Sequence, residues 1–289
     1  VKRNTTDKVI GRYIRKSAES YLAPDGETLP VVSLKTTASI ANDQGISVRE
    51  VEIAALEERI VPRRYLRNMG TIGVDGQIRL LQSTVAVVGA GGLGSTAIEL
   101  LARQGIGHLI IIDNDRFTES DLNRQITSTE ENLGQYKVTV AARRVKKINS
   151  ATMVTAFRRK LTKDNARNLL SGAQLTVDGL DNLPSRLALE QACRQLAIPY
   201  VHGAVAGFGG QLITIFPEDV GLSSLYESSS DTGIETRIGN PTATPAAIAT
   251  LQVQEVVKII TGVGTPVRNR LLLVDIREFA IDGIELGKY

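Results

Sequence analysis

The chain has 289 residues, 42% of them hydrophobic and 22% charged, with a formal net charge of +3. That composition is ordinary for a globular protein, and the charge is too small to argue for a nucleic-acid partner. No uninterrupted apolar run reaches the roughly 18–20 residues of a membrane helix, and the polar, basic N-terminus lacks the apolar stretch of a secretory signal. The one cysteine, Cys193, can form neither an internal disulfide nor a zinc site by itself, so a cytoplasmic location is expected.

In chain order, Lys2, Arg3, Lys8, Arg12, Arg15 and Lys16 stand against Asp7 in the first residues. This reads as a solvated, mobile tail, with a patch for an acidic partner as the alternative. A short helix is expected over 36–43, a turn at Gly45, and a second helix through Arg59 opened by the Ser47/Glu50 capping box. The outline is helix–turn–helix. Helical hairpins that merely pack are commoner than DNA readers, and Glu52, Glu57 and Glu58 would repel phosphate. Residues 1–63 are therefore expected to form a small helical N-terminal extension.

From about residue 83 onward short apolar runs alternate with helical patterns, which predicts an α/β fold: a Rossmann-like, mostly parallel sheet with helices on both faces. Strands are expected at 84–88, 108–113, 153–157, 174–178, 199–205, 211–216 and 270–276, and helices at 95–104, 137–148, 164–170, 185–196 and 246–260. The pattern fails between 217 and 240, which reads as a long surface loop.

Chemistry concentrates at the ends of the expected strands. After the first comes Gly89-Ala90-Gly91-Gly92-Leu93-Gly94; glycines let the backbone turn tightly against a phosphate, and a helix start offers free N–H groups. Asp113, about 20 residues on, suits a ribose hydroxyl, and Asp115 follows it. Asp121-Leu122-Asn123-Arg124-Gln125 then supplies an arginine and Lys137 opens the next helix. A triphosphate needs such a pair, because phosphoryl or nucleotidyl transfer is mostly positioning and charge neutralisation. Asp178-Gly179-Leu180-Asp181-Asn182 closes the fourth strand, where a carboxylate can hold Mg²⁺. Each residue alone has a structural alternative: Arg124 or Lys137 as solvated charges, Asp181 as a helix cap.

Taken in order, these motifs resemble the MoeB/ThiF/HesA family, relatives of the adenylation domain of ubiquitin-activating enzymes. The resemblance spans about 64–289 and includes Arg64-Tyr65-Leu66-Arg67, a turn at Gly73…Gly76-Gln77, the Gly89–Gly94 loop, Asp113, Arg124-Gln125, Gly134-Gln135…Lys137, Asp181-Asn182, Gly203-Ala204 and Gly210-Gln211. It implies a homodimer that uses ATP and Mg²⁺ to adenylate the C-terminal glycine of a ubiquitin-like sulfur-carrier protein of MoaD/ThiS type. Gly89, Gly91, Gly92 and Gly94 would lie against the nucleotide and Asp113 would hold the ribose, with Asp115, Asn123, Gln125 and Asn182 completing the nucleotide site. Arg124 and Lys137 would touch the phosphates, Asp181 would stand beside Mg²⁺ and the α-phosphate, and Arg67 would reach into the partner subunit's site.

The chain departs from that pattern twice. Asp121 replaces the family's asparagine, which would either weaken ATP binding or turn the carboxylate toward metal or Arg67. Both Cys-X-X-Cys zinc pairs are absent, and the 217–240 segment has no cysteine for a covalent intermediate. Cys193 is expected to pack inside its helix, and activation to stop at the adenylate. The alternative acceptor is a small-molecule, peptide or modified-tRNA carboxylate; a nicotinamide-dependent dehydrogenase and an inactive scaffold are the remaining alternatives.

Overall fold

The computed structural model describes residues 5–24, 26–226 and 238–287, and of helix α1 (Thr5–Lys16) only the side chains from Val9 onward. Ile10 and Ile14 of α1 are buried, so this part of the basic segment is a packed helix and not a solvated tail. Periodicity explains it: the two isoleucines sit four apart and face inward, while Arg12, Arg15 and Lys16 stay exposed. Lys2 and Arg3 lie outside the described residues.

A hairpin follows, β1 (Glu19–Leu22) with β2 (Thr28–Val32), then α2 (Leu34–Gln44), α3 (Val48–Glu57) and β3 (Val61–Pro62), which pairs in parallel with β2. The extension thus carries a small sheet beside its helices. Ser33 caps α2, and Ser47 and Glu50 form the expected reciprocal box at the start of α3. The second helix of the helix–turn–helix outline is enclosed. Val51 and Ala55 pack with Ile10, Ile14 and Ile40 on one side, while Leu56 packs with Tyr65, Leu81 and Ala151 on the other. Its faces are spent on packing, the commoner of the two readings.

A 3₁₀ stretch, Arg63–Asn68, leads into α4 (Met69–Gln82), which breaks at Gly73 (φ 66°). Of the turn expected over Gly73…Gly76-Gln77, Gly73 makes the break, while Gly76 and Gln77 are helical. Gln77 is buried there, accepting from Asn68 and donating to the Gln104 carbonyl.

The remaining elements are β4 (Thr84–Val88), α5 (Gly92–Gln104), β5 (His108–Ile112), α6 (Lys137–Ile148), β6 (Met153–Phe157), α7 (Ala166–Leu169), β7 (Leu175–Asp178), α8 (Leu183–Leu196), β8 (Tyr200–Ala206), β9 (Gly209–Ile215), α9 (Ala243–Thr261), β10 (Arg270–Asp275) and β11 (Ala280–Glu285). Among the described residues eight strands form one sheet in the order β11-β10-β9-β8-β7-β4-β5-β6. It is parallel from β6 through β8 and antiparallel from β8 through β11. Alternation along β4 sets the layers. Val85 and Val87 face the core shared with α5, α6 and α9; Ala86 and Val88 face the one shared with α7 and α8.

The fold is the expected one, a Rossmann-like sheet with helices on both faces and an N-terminal extension. Strand β11 leaves no mark in the sequence, because its residues are all exposed and alternate weakly. Of the expected 217–240 loop, 227–237 lie outside the described residues, and Leu222 before them is buried in a short 3₁₀ turn. No helix among the described residues is long and apolar enough to cross a membrane.

Candidate functional site

Parallel register brings β4, β5 and β7 to one edge together: Val88 lies opposite both Ile112 and Asp178. The chain leaves all three strands side by side, through Gly89, Asp113 and Gly179. Such an edge, where the connections diverge, is where doubly wound sheets bind ligands. A cavity of about 840 Å³ opens there.

The glycine loop is shaped by packing as much as by any ligand. Gly89 has φ +91°, and a Cβ on it would stand 2.4 Å from the Gly179 carbonyl oxygen. A Cβ on Gly94 would stand 1.8 Å from the Gly89 carbonyl oxygen. Gly94 therefore lies behind the loop, allowing α5 to approach it, and does not line the cavity; Gly89, Gly91 and Gly92 do. Helix α5 begins at Gly92, three residues before the expected start, and no side chain caps its first turn. Its N–H groups are left for an anion.

Asp113 joins the first two strand ends. Its Oδ2 accepts from the Ala90 N–H (2.7 Å) and its Oδ1 from the Asp115 N–H (2.7 Å). Burial pushes its carboxyl above the ordinary range, opposed by those two donors and by Lys137.

Opposite stand the cations. Lys137 is buried, with Nζ 3.8 Å from Asp115 Oδ2 and 3.7 Å from Asp121 Oδ2. Arg124 donates to the Ser120 carbonyl and Asn123 Oδ1. Asp113, Asp115, Arg124, Gln125 and Lys137 all line the cavity; Asn123 does not, its side chain being turned to Arg124 and the Asn240 carbonyl. Asp121 faces Lys137, Arg124 and Gln125. Arg67 is exposed in the 3₁₀ stretch and is not part of the cavity wall of its own chain.

Asp181 and Asn182 line the third side. Asn182, and not Asp181, caps α8, accepting from the Ser185 N–H at 3.0 Å. Asp181 is exposed, accepts only the Asn182 amide, and has no cation partner among the described residues. Such a carboxylate fits Mg²⁺, which is commonly held by one or two carboxylates plus substrate phosphates.

Beneath this loop lies a network the sequence reading did not find. Asp178 is fully buried; its Oδ1 accepts from the Leu180 N–H (2.8 Å), its Oδ2 from the Tyr200 hydroxyl (2.6 Å) and His202 Nδ1 (2.7 Å). Burial alone would raise its pKa, but His202, Arg186 and Tyr200 together hold it below the ordinary carboxylate range. Burial lowers the pKa of His202, and Gln211 Nε2 faces its other ring nitrogen at 3.3 Å, which leaves Nδ1 as the donor to Asp178. Arg186 clasps the same loop from the other side, donating to the Leu180 carbonyl at 2.7 Å.

Arg116, Arg159, Lys160 and Arg186 also line the cavity. Arg159 and Lys160 stand two and three residues past the β6 end, so the strand-end rule that found Arg124 could have found them. Arg116, four residues past the β5 end, is open to the same rule; it is held by stacking on Tyr136, 3.7 Å from the ring centroid. Cys193 is buried, Sγ 3.4 Å from Thr176 Oγ1, and burial pushes its thiol up to about 12, matching a packing role.

Glycine loop, strand-end acid and bordering cations define a Rossmann-like α/β protein with a polar cavity at the switch point of its sheet. The chain belongs to the ThiF family, which matches residues 65–288. It is 33% identical over 226 residues to the SAMP-activating enzyme E1 of Haloferax volcanii, covering 76% of this chain and 84% of that one. To the sulfur carrier protein ThiS adenylyltransferase of Escherichia coli it is 32% identical over 208 residues (70% and 83%). To the adenylyltransferase and sulfurtransferase MOCS3 of Arabidopsis thaliana it is 36% identical over 246 residues, covering 81% of this chain but only 51% of that protein. The chain thus spans about half the length of that relative. Among solved structures, E. coli MccB with MccA-N7isoASN superposes with a TM-score of 0.69 at 24% identity, covering 78% of this chain and 72% of that one, a likeness of fold.

Proposed function

We propose that the chain is an adenylyltransferase that uses ATP to activate the C-terminal glycine carboxylate of a ubiquitin-like sulfur carrier of MoaD/ThiS type. The observation that carries this reading is the meeting of Asp113, Lys137, Arg124 and Asp181 around one cavity at the strand ends, beside an uncapped helix start. Relatives named as carrier-activating enzymes support it. Gly89, Gly91 and Gly92 would lie along the nucleotide, and Asp113 would accept from the ribose. Lys137 and Arg124 would neutralise charge as one carboxylate oxygen bonds to the α-phosphorus and the bond to pyrophosphate breaks. The products are acyl-adenylate and pyrophosphate. Asp181 would hold Mg²⁺, which when bound offsets phosphate charge.

Three finer elements belong to the same reading. The chain acts as a homodimer in which Arg67 serves the partner's site, consistent with its exposed position outside its own cavity. Residues 1–63 form an extension and 64–289 the adenylation domain. Activation stops at the adenylate without zinc or a covalent cysteine, since the sole cysteine is buried in α8; a cytoplasmic location goes with that cysteine usage.

The test is carrier-dependent ATP–pyrophosphate exchange, together with mass spectrometry of a carrier ending in Gly-Gly after incubation with the chain and Mg·ATP. The expected results are exchange above background and a carrier heavier by one AMP. AMP formation from peptide or small-molecule carboxylates with no carrier present would replace the acceptor. Absence of nucleotide binding would overturn the reading altogether.

A further inference from the structure

We infer that Asp121 is a built-in charge selector that makes the cavity favour metal-complexed over metal-free nucleoside triphosphate. This deepens, and rests on, the adenylyltransferase reading.

Asp121 lines the cavity yet is only 6% exposed. Its carboxylate cannot swing away. Oδ2 accepts from the Thr118 N–H (2.9 Å) and hydroxyl (3.1 Å), and Oδ1 accepts from Gln125 Nε2 (2.5 Å). Held there, it stands 3.7 Å from Lys137 Nζ and 3.8 Å from Arg124 Nη2. Both cations that would meet the phosphates therefore already share an immobile anion, whereas Asp181 has none of the described cations as a partner. An incoming triphosphate meets the attraction of the cations together with repulsion from the carboxylate behind them. That repulsion scales with ligand charge, roughly −4 for metal-free ATP and roughly −2 for its Mg²⁺ complex. It is weakly screened, because the carboxylate is buried.

Asp121→Asn tests this with little disturbance. The amide oxygen can keep the Thr118 N–H, while the new NH₂ faces Gln125. The buried Gln125 Oε1 has no hydrogen-bond partner; turning that amide over lets it accept from the new NH₂ and puts Nε2 where the unpartnered oxygen stood. Asp115→Asn is the comparison. Asp115 is as close to Lys137, but its side chain is 60% exposed and solvent-screened.

Calorimetric titration with ATP in chelator and with Mg·ATP is the measurement, on the unaltered chain and both variants, with thermal melting as the check on folding. D121N should bind metal-free ATP about tenfold more tightly and Mg·ATP no more than about threefold more tightly, narrowing the selectivity; D115N should change it less than about twofold. Asp121→Ser, smaller and also uncharged, should narrow it in the same direction and serves if D121N melts early. Selectivity unchanged in D121N and D121S, or both ligand forms weakened alike, would overturn the inference while leaving the function intact. If the unaltered chain binds neither form, the functional reading fails and the inference with it.

Discussion

Two ionisable side chains illustrate what burial does in this protein. Lys137 is enclosed between carboxylates and aimed at the cavity, so its removal should act on chemistry more than on folding. Lys137→Ala or Asp181→Asn should lower carrier-dependent pyrophosphate exchange by on the order of 10²–10³, with near-native melting. Glu52 shows the opposite case. It has no exposed surface, and burial raises its pKa from the ordinary 4.5 to about 6 against the pull of Arg64 and Tyr65. Because the folded-state value is the higher one, its contribution to stability is present below pH 4.5 and is lost as pH rises through about 6. Glu52→Gln removes that loss. Its melting temperature should exceed that of the unaltered chain near pH 8, by the equivalent of about 2 kcal/mol, and the two should converge toward pH 4.5. A variant that melts lower at pH 8 would mean that the Arg64 pair outweighs the cost of burial.

Among the elements, the β4–α5 connection is the most tightly specified. Gly89, Gly94 and Gly179 meet backbone to backbone, so added atoms have nowhere to go. Gly94→Ala should destabilise by on the order of 3 kcal/mol and weaken nucleotide binding, although Gly94 never faces the ligand. Denaturant unfolding and titration with Mg·ATP check the two effects separately. This also explains why the glycine motif reads so clearly in sequence: two requirements, close packing and approach to an anion, fall on the same few positions. By contrast, α1 and α4 carry no clear signal. In α1 the basic residues obscured two buried isoleucines, and in α4 Gly70, Gly73 and Gly76 obscured an apolar face that includes Ile72, Leu80 and Leu81.

At the scale of the whole molecule, α3 ties the extension to the sheet domain. Leu56 packs on Tyr65, Leu81 and Ala151, and Arg49 donates to the Gly107 carbonyl, so the core crosses the boundary proposed at 63/64. Leu56→Ala should cost about 3 kcal/mol, and amide exchange should accelerate in α4 as well as α3. Loss confined to residues before Arg63 would show the two units to be energetically separate.

Local periodicity and the places where strands stop are enough to read the parallel strands, the glycine loop and the strand-end residues Asp113, Arg124, Lys137 and Asp181 from the amino acids alone. Where Asp121 points, that Gly94 and Asn123 stand off the cavity wall, and that Arg116 and Arg186 stand on it follow from the folded chain alone. Folding also places the buried Asp178–His202–Tyr200 network and encloses α3. Each of these is set by a partner many residues away, and contacts between distant segments leave no periodic trace in the segments themselves.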